Sequence, residues 1–145
     1  MPVISRWYIK AGLLYLVAGL GLGAATIPWP GLRPGAWWPG FDPLVVHMIT
    51  VGWLTQLILG VAHWMFPPAA SGPRRGREGL MATAFVMLNA GLLLRLAVEA
   101  LAAPGAVEPG ASSLGALVVA GTLQWLASVA AAVALWGRVR SPRRG

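Results

Sequence analysis

The chain of 145 residues contains no cysteine and few charged residues. The lack of cysteine excludes disulfides, zinc–thiolate sites, iron–sulfur clusters and thiol catalysis. Charged residues make up 10% of the sequence, whereas a soluble domain averages about 25%, so a water-exposed globular surface is excluded. Hydrophobic residues make up 57% instead. The composition is that of an integral membrane protein.

The sequence also lacks the common patterns of catalytic residues. It has no Ser–His–Asp set, no glycine loop for phosphate, no paired carboxylates and no His-x-x-x-His spacing. The net charge of +7 comes from basic residues at the ends of apolar segments. This placement favours membrane topology and argues against nucleic-acid binding.

Four apolar stretches are long enough to cross a hydrocarbon core of about 30 Å. They cover residues 9–27, 44–66, 80–103 and 114–136. Proline and glycine residues between the stretches end each helix, and the short connections make consecutive helices antiparallel neighbours. We therefore predict an all-α fold: an integral membrane, antiparallel four-helix bundle that forms one domain over residues 1–145.

The distribution of lysine and arginine predicts the orientation of the bundle, because basic residues stay on the cytoplasmic side during insertion. Only Arg33 lies on the side opposite to the others. The remaining basic residues near span ends are Arg6, Lys10, Arg74, Arg75, Arg77, Arg138, Arg140, Arg143 and Arg144. Both termini are therefore expected to be cytoplasmic.

Small and amide residues inside the spans predict how the helices contact one another. In lipid, glycine permits close backbone approach, and amide side chains form hydrogen bonds between helices. The glycines expected at such contacts are Gly12, Gly19, Gly23, Gly52, Gly60, Gly91, Gly115 and Gly121. The mid-membrane amides expected to link helices are Gln56, Asn89 and Gln124.

His47 lies just inside the predicted outer boundary of the second span. An imidazole in hydrocarbon is costly unless it binds a ligand or forms a hydrogen bond. Neutral imidazole is a good ligand for haem iron, and the small side chains of Thr50 and Val51 one turn further on would leave space for a flat group. The alternative interpretation is a histidine that is only hydrogen-bonded.

His63 follows sixteen residues later in the same span. On an uninterrupted α-helix it lies about 24 Å from His47 along the axis and about 160° around it. The two histidines of one chain are therefore not expected to bind one metal. His63 is either an interfacial, hydrogen-bonded anchor or a second ligand supplied by another chain.

Arg95 and Glu99 lie four residues apart on one face of the third span. In one interpretation they neutralise each other while extending toward the membrane surface. In the other, Arg95 binds a carboxylate such as a haem propionate. Because His47 and Arg95 both fall in the outer half of the bundle, one haem would reach both.

Two segments resemble a known family. Residues 46–67 contain the pattern His-x-x-x-x-Gly-Trp-Leu, followed by Gly60 and then Phe66-Pro67, and residues 7–15 are similar to that family's first helix. The pattern resembles the second transmembrane helix of the catalytic subunit of haem-copper oxidases, above all the cbb-type oxidase and the nitric oxide reductase. It is most similar to short bacterial membrane proteins related to that subunit. The resemblance covers about the first half of the chain.

The resemblance implies that His47 is an axial ligand of a low-spin haem near the outer face. In the large enzymes the second axial ligand and the copper ligands come from later helices, which a four-span chain lacks. One His47 per chain could hold a haem as a five-coordinate site, or a symmetric homodimer would supply His47 from each copy to one iron. The resemblance also implies a multi-pass protein of the bacterial inner membrane, and it assigns no enzymatic activity to the chain alone.

We therefore predict a small membrane protein that binds haem b and acts in electron transfer or in handling O2 or NO. His47 would be the axial ligand, Arg95 the propionate partner, and Thr50 and Trp53 part of the pocket wall, with His63 of another chain as a candidate second ligand. Two alternatives remain open. One is a cofactor-free accessory or assembly subunit of a respiratory oxidase complex, and the other is a copper-handling protein that uses a histidine and methionines.

Overall fold

A computed structural model of the chain describes residues 1–25, 42–66, 74–101, 111–136 and 138. Four helical spans in this part are long and apolar enough to cross a membrane: Val3–Ala25, Pro43–Met65, Glu78–Leu101 and Ser112–Trp136. The described residues are almost entirely helical and contain no strand. The predicted all-α, four-span membrane fold is confirmed.

Five α-helices and one π-helix build these spans. The first span is α1 (Val3–Ala25), and the second consists of α2 (Asp42–His47), a π-helix (Met48–Thr55, the π segment) and α3 (Gln56–Met65). The third and fourth spans are α4 (Arg74–Leu101) and α5 (Ala111–Trp136). We call the end with the start of α1 and the end of α5 the inner end, and the opposite end the outer end.

Two helices begin six residues earlier than the apolar stretches predict. The first starts at Val3 instead of residue 9, and α4 starts at Arg74 instead of residue 80. Hydropathy marks only where the hydrocarbon begins, and a helix can extend beyond it. Arginine is a good helix former, so the arginines before each apolar stretch allow the helix to start earlier. The early part of α1 is also fixed to α4, because the Tyr8 hydroxyl donates a hydrogen bond of 3.1 Å to the Met81 carbonyl.

The helices pack as two close pairs. The first span lies along the second, and α4 lies along α5, whereas no described part of the α1 backbone approaches α5 closely. Close approach depends on glycine: a Cβ atom at Gly52 would lie 2.6 Å from Tyr15 Cγ, and one at Gly91 would lie 2.8 Å from the Ala120 carbonyl oxygen. The predicted glycine contacts are confirmed at Gly12, Gly19, Gly23, Gly52, Gly60 and Gly91.

The glycine prediction is wrong at two positions of α5. A Cβ atom at Gly115 or Gly121 would have no other atom within 4 Å. Both glycines lie away from α4, because the contact face of α5 is formed by alanines such as Ala120, Ala127 and Ala131, which are buried. Alanine is itself small enough to permit close helix packing in lipid.

The two pairs are joined by a buried core at the inner end. The Tyr8 and Phe85 rings form a T-shaped pair with a centroid distance of 5.0 Å and an interplanar angle of 77°, a favourable aromatic geometry. The buried members of this core are Ile4, Tyr8, Met81, Ala84, Leu88, Ala127, Ala131 and Ala134. These buried residues belong to the first, third and fourth spans, and Val51 and Leu59 of the second span pack against them.

An amide pair joins the second and third spans near mid-membrane. Gln56 Nε2 donates to Asn89 Oδ1 at 3.2 Å, and Asn89 Nδ2 donates to Gln56 Oε1 at 3.3 Å. The predicted interhelical role is confirmed for these two residues. Gln124 differs, because its buried Nε2 has no partner among the described residues.

Replacing Asn89 with leucine is expected to lower the free energy of unfolding by about 1–3 kcal/mol, because it leaves the fully buried Gln56 amide without its partner. The double variant Gln56→Leu/Asn89→Leu removes both polar groups and should lose less than the single variant. Chemical unfolding in detergent micelles measures both. If the losses of the two single variants, Gln56→Leu and Asn89→Leu, simply add in the double variant, the two amides do not stabilise each other.

Candidate functional site

His47 is the last residue of α2 and stands at the outer end of the bundle. Its Nδ1 lies 2.7 Å from the Pro43 carbonyl oxygen, one turn earlier in the same helix. The same nitrogen lies 3.2 Å from Glu99 Oε1 on the third span, and 22% of the side chain is exposed. The imidazole thus sits at the contact between two spans, with one nitrogen held by two oxygen atoms.

Arg95 and Glu99 pair with each other on α4, as one of the two interpretations expects. Arg95 Nε donates to Glu99 Oε1 at 3.0 Å. Glu99 Oε1 therefore faces both Arg95 and His47, while Glu99 Oε2 is buried and has no partner among the described residues. We call His47, Arg95 and Glu99 the outer cluster.

The contact between His47 and Glu99 is the feature that the sequence interpretation missed. A signal for it exists: His47 lies four residues after Pro43, and Glu99 lies two residues before the end of α4 at Leu101. Antiparallel neighbours place these positions at similar depth. Depth alone does not fix which face of each helix points inward, so the pairing itself was not predictable.

The oxygen partners decide which ring nitrogen of His47 is available. A carbonyl and a carboxylate are acceptors, so Nδ1 carries a hydrogen, and in the neutral imidazole Nε2 then carries the lone pair. No described residue forms a hydrogen bond with Nε2. Histidines that bind metals commonly donate the other ring N–H to a carboxylate or carbonyl, which fixes the tautomer and the ring orientation. The outer cluster therefore has the chemistry of a supported nitrogen ligand.

This tautomer is a testable prediction. In the purified haem-free protein, nitrogen NMR of ¹⁵N-labelled histidine is expected to show His47 with its hydrogen on Nδ1. The chain has only two histidines, so a His63→Asn variant assigns the signals. A hydrogen on Nε2, or an even mixture, would contradict the arrangement.

The π segment follows His47 directly and was not predicted. Thr55 Oγ1 donates to the Thr50 carbonyl five residues earlier at 2.9 Å, and Thr50 Oγ1 donates to the Val46 carbonyl at 2.7 Å. π-helical turns are rare and occur frequently at functional sites. The β-branched run at residues 49–51 is the available signal, since such side chains crowd an α-helix.

The π segment contains Thr50 and Trp53, the two residues predicted to form part of the haem-pocket wall. It also changes the helix geometry between His47 and His63. Thr50 is exposed, and Trp53 is half-buried. Because the hydrogen bonds of the segment reach five residues, the turn is wider than in an α-helix. The angle of about 160° between His47 and His63, which assumed an uninterrupted α-helix, is therefore wrong for this span.

His63 lies at the inner end and is 2% exposed. Arg138 Nη1 donates to the His63 carbonyl oxygen at 3.0 Å and lies 3.2 Å from His63 Nδ1. This contact joins the end of the second span to the residues after α5. Within one chain, the structure places the two histidines at opposite ends of the bundle.

The described residues contain no group of three or more His, Cys, Asp or Glu side chains placed to hold a metal ion. A haem differs from a bare metal ion because one axial side chain is sufficient to hold its iron. The chain matches no protein-family model, no curated protein and no solved structure in the comparisons made.

Proposed function

We propose that this chain is a small membrane protein that binds b-type haem through His47 and acts in electron transfer or in handling O2 or NO. The observation that carries the proposal is the environment of His47. Its Nδ1 is held by the Pro43 carbonyl and the Glu99 carboxylate, while Nε2 has no described partner. Haem would supply one-electron chemistry or a binding site for a diatomic gas.

Arg95 supports the proposal as the partner of a haem propionate. It uses Nε for Glu99, and no described residue accepts a hydrogen bond from its two terminal nitrogens. These nitrogens form a planar pair of donors, which suits a carboxylate. Its side chain is 29% exposed, so it is accessible from the surface of the bundle.

The surroundings of His47 also favour a site shared by two copies. Val46 and Thr50, on either side of His47, are exposed, so a flat ligand beside Nε2 would be covered by one chain on one side only. A twofold-related copy would cover the other side and present a second His47 to the iron. We therefore propose a homodimer with one haem, with both termini of each chain on the cytoplasmic side of a bacterial inner membrane.

The test is an absorption spectrum of detergent-purified protein, oxidised and dithionite-reduced, after expression with excess haem. A Soret band with sharp reduced α and β bands, at one haem for two chains, is the expected result. A Soret band without sharp α and β bands would show that haem is bound but would exclude a dimer in which His47 of both copies binds one iron. A colourless protein would overturn the proposal and favour an accessory subunit of a respiratory complex, and copper without haem on metal analysis would favour copper handling.

A further inference from the structure

The two oxygen atoms beside His47 Nδ1 differ in charge and in origin. The Pro43 carbonyl oxygen, at 2.7 Å, is neutral and belongs to the same helix as His47. Glu99 Oε1, at 3.2 Å, is a carboxylate oxygen and belongs to the third span. The carbonyl alone is sufficient to keep a hydrogen on Nδ1 and to orient the ring. The longer contact with the carboxylate therefore needs an explanation of its own.

Glu99 lies at a position that is costly for a carboxylate. It is in the last turn of α4, which ends at Leu101, and the negative end of the helix dipole disfavours a negative charge there. Its side chain is 12% exposed, so water offsets little of this cost. Arg95 offsets part of it through the contact of 3.0 Å with Oε1. Because His47 contacts the same oxygen, the negative charge is held beside the imidazole.

A negative charge beside the Nδ1 hydrogen changes the chemistry of the opposite ring nitrogen. It polarises the N–H bond and raises the basicity of Nε2 as a metal ligand. A more basic ligand stabilises ferric iron more than ferrous iron, because ferric iron carries the higher charge. A neutral carbonyl has a smaller effect than a carboxylate, since contacts with a charged partner are the stronger ones. A carboxylate at this position therefore lowers the reduction potential of an iron bound at Nε2.

We infer that Glu99 is a positioning residue that acts through His47 and lowers the reduction potential of the haem. The inference rests on the proposed function, because it requires a haem iron at Nε2. It gives the two partners of Nδ1 different roles: Pro43 sets the tautomer, and Glu99 sets how strongly Nε2 donates to the iron. A lowered potential makes the reduced site a stronger electron donor to its redox partner.

The test is a redox titration of the purified, haem-loaded protein, followed by absorption, for the wild type and Glu99→Gln. Glutamine has nearly the shape of glutamate and lacks its charge, so this variant is expected to fold and bind haem like the wild type. Its preference for the oxidised state should fall about tenfold, the lower end of the usual effect of losing such a partner. For one electron, this change corresponds to a rise of about 59 mV in the reduction potential.

Glu78→Gln is the matched control for charge. It removes a carboxylate from the same helix, α4, about 32 Å from Glu99 along the axis. Its reduction potential should equal that of the wild type, because a charge at this distance is screened.

A second measurement does not need haem. In the haem-free protein, proton NMR should show the hydrogen on His47 Nδ1 at lower field in the wild type than in Glu99→Gln. The tautomer should stay the same in both, because the Pro43 carbonyl is retained. Glu78→Gln should leave this resonance in place.

Three results would overturn the inference and leave the proposed function standing: a wild-type potential in Glu99→Gln, an equal rise in Glu78→Gln, or loss of haem from Glu99→Gln alone. An unchanged Nδ1 proton resonance in Glu99→Gln would also overturn it, because any change in potential would then not pass through the ring. A colourless wild-type protein would overturn the proposed function, and the inference with it.

Discussion

Alanine in place of His47 is expected to abolish haem binding, with loss of the Soret band from the purified protein. The reason is that His47 Nε2 is the proposed iron ligand and the described part of the chain offers no other histidine at the outer end. Because each chain supplies a single axial side chain, no other residue takes the place of His47, and the expected loss is complete. Absorption spectra and haem extraction measure the haem content per chain.

The alanine variant also removes the hydrogen bonds of Nδ1, so a matched control is needed. Asparagine at position 47 places an amide N–H close to the position of Nδ1, and it keeps a donor for the Pro43 carbonyl without a ring nitrogen for iron. His47→Asn should therefore fold like the wild-type protein, by helical circular dichroism and gel filtration, and still lack haem. Full haem content in either variant would refute His47 as the ligand.

A third variant separates the two histidines. His63→Ala removes a residue that is buried at the inner end against Arg138. With His47 from two copies on the iron, this variant is expected to keep the sharp reduced bands. A change to a five-coordinate spectrum would instead identify His63 of a partner as the second ligand.

Alanine in place of Gly52 is expected to lower the free energy of unfolding by about 1–3 kcal/mol, the usual cost of overpacking. The added Cβ would lie 2.6 Å from Tyr15 Cγ and 2.7 Å from Tyr15 Cβ. Tyr15 Cβ is attached to the backbone, so a rotamer change cannot relieve the contact, and α1 must move away from the π segment. Chemical unfolding in micelles, followed by circular dichroism, gives the magnitude.

Gly121→Ala is the control for this prediction. A Cβ atom there meets nothing within 4 Å, so the same substitution should be neutral or stabilise the helix by up to about 1 kcal/mol. Combining Gly52→Ala with Tyr15→Ala should recover part of the loss, since it removes the side-chain ring that the new methyl group meets. Equal effects at positions 52 and 121 would show that close packing at Gly52 does not limit stability.

The four-span fold was predictable from sequence because hydrophobic length alone is a strong signal in membrane proteins. That Gln56 and Asn89 bond between helices was also predictable, since an amide in hydrocarbon needs a partner. Which amides pair with each other was not. The early starts of α1 and α4 were not, because hydropathy marks where the hydrocarbon begins and the helix does not have to begin there.

The candidate site was predictable in its residues and less so in its contacts. His47, Arg95 and Glu99 stood out because charged and imidazole groups are rare in hydrocarbon. That Glu99 turns toward His47 depends on how α4 is rotated about its axis, and this rotation is set by packing of small residues such as Gly91 against α5. The π segment was likewise not predicted. It lies where Gly52 packs on Tyr15 and where the Thr55 hydroxyl bonds to the Thr50 carbonyl five residues earlier.

The packing of the spans as two pairs, with α1 and α5 apart, implies an order of assembly. Each pair consists of consecutive spans, so its contacts are local in sequence and form quickly during synthesis from the N-terminus. The first pair can be complete while α4 and α5 are still on the ribosome. At that stage the Pro43 carbonyl already holds His47 Nδ1, and the Glu99 carboxylate arrives only when the second pair docks. Maturation of the outer cluster is therefore expected to be a late event in biogenesis.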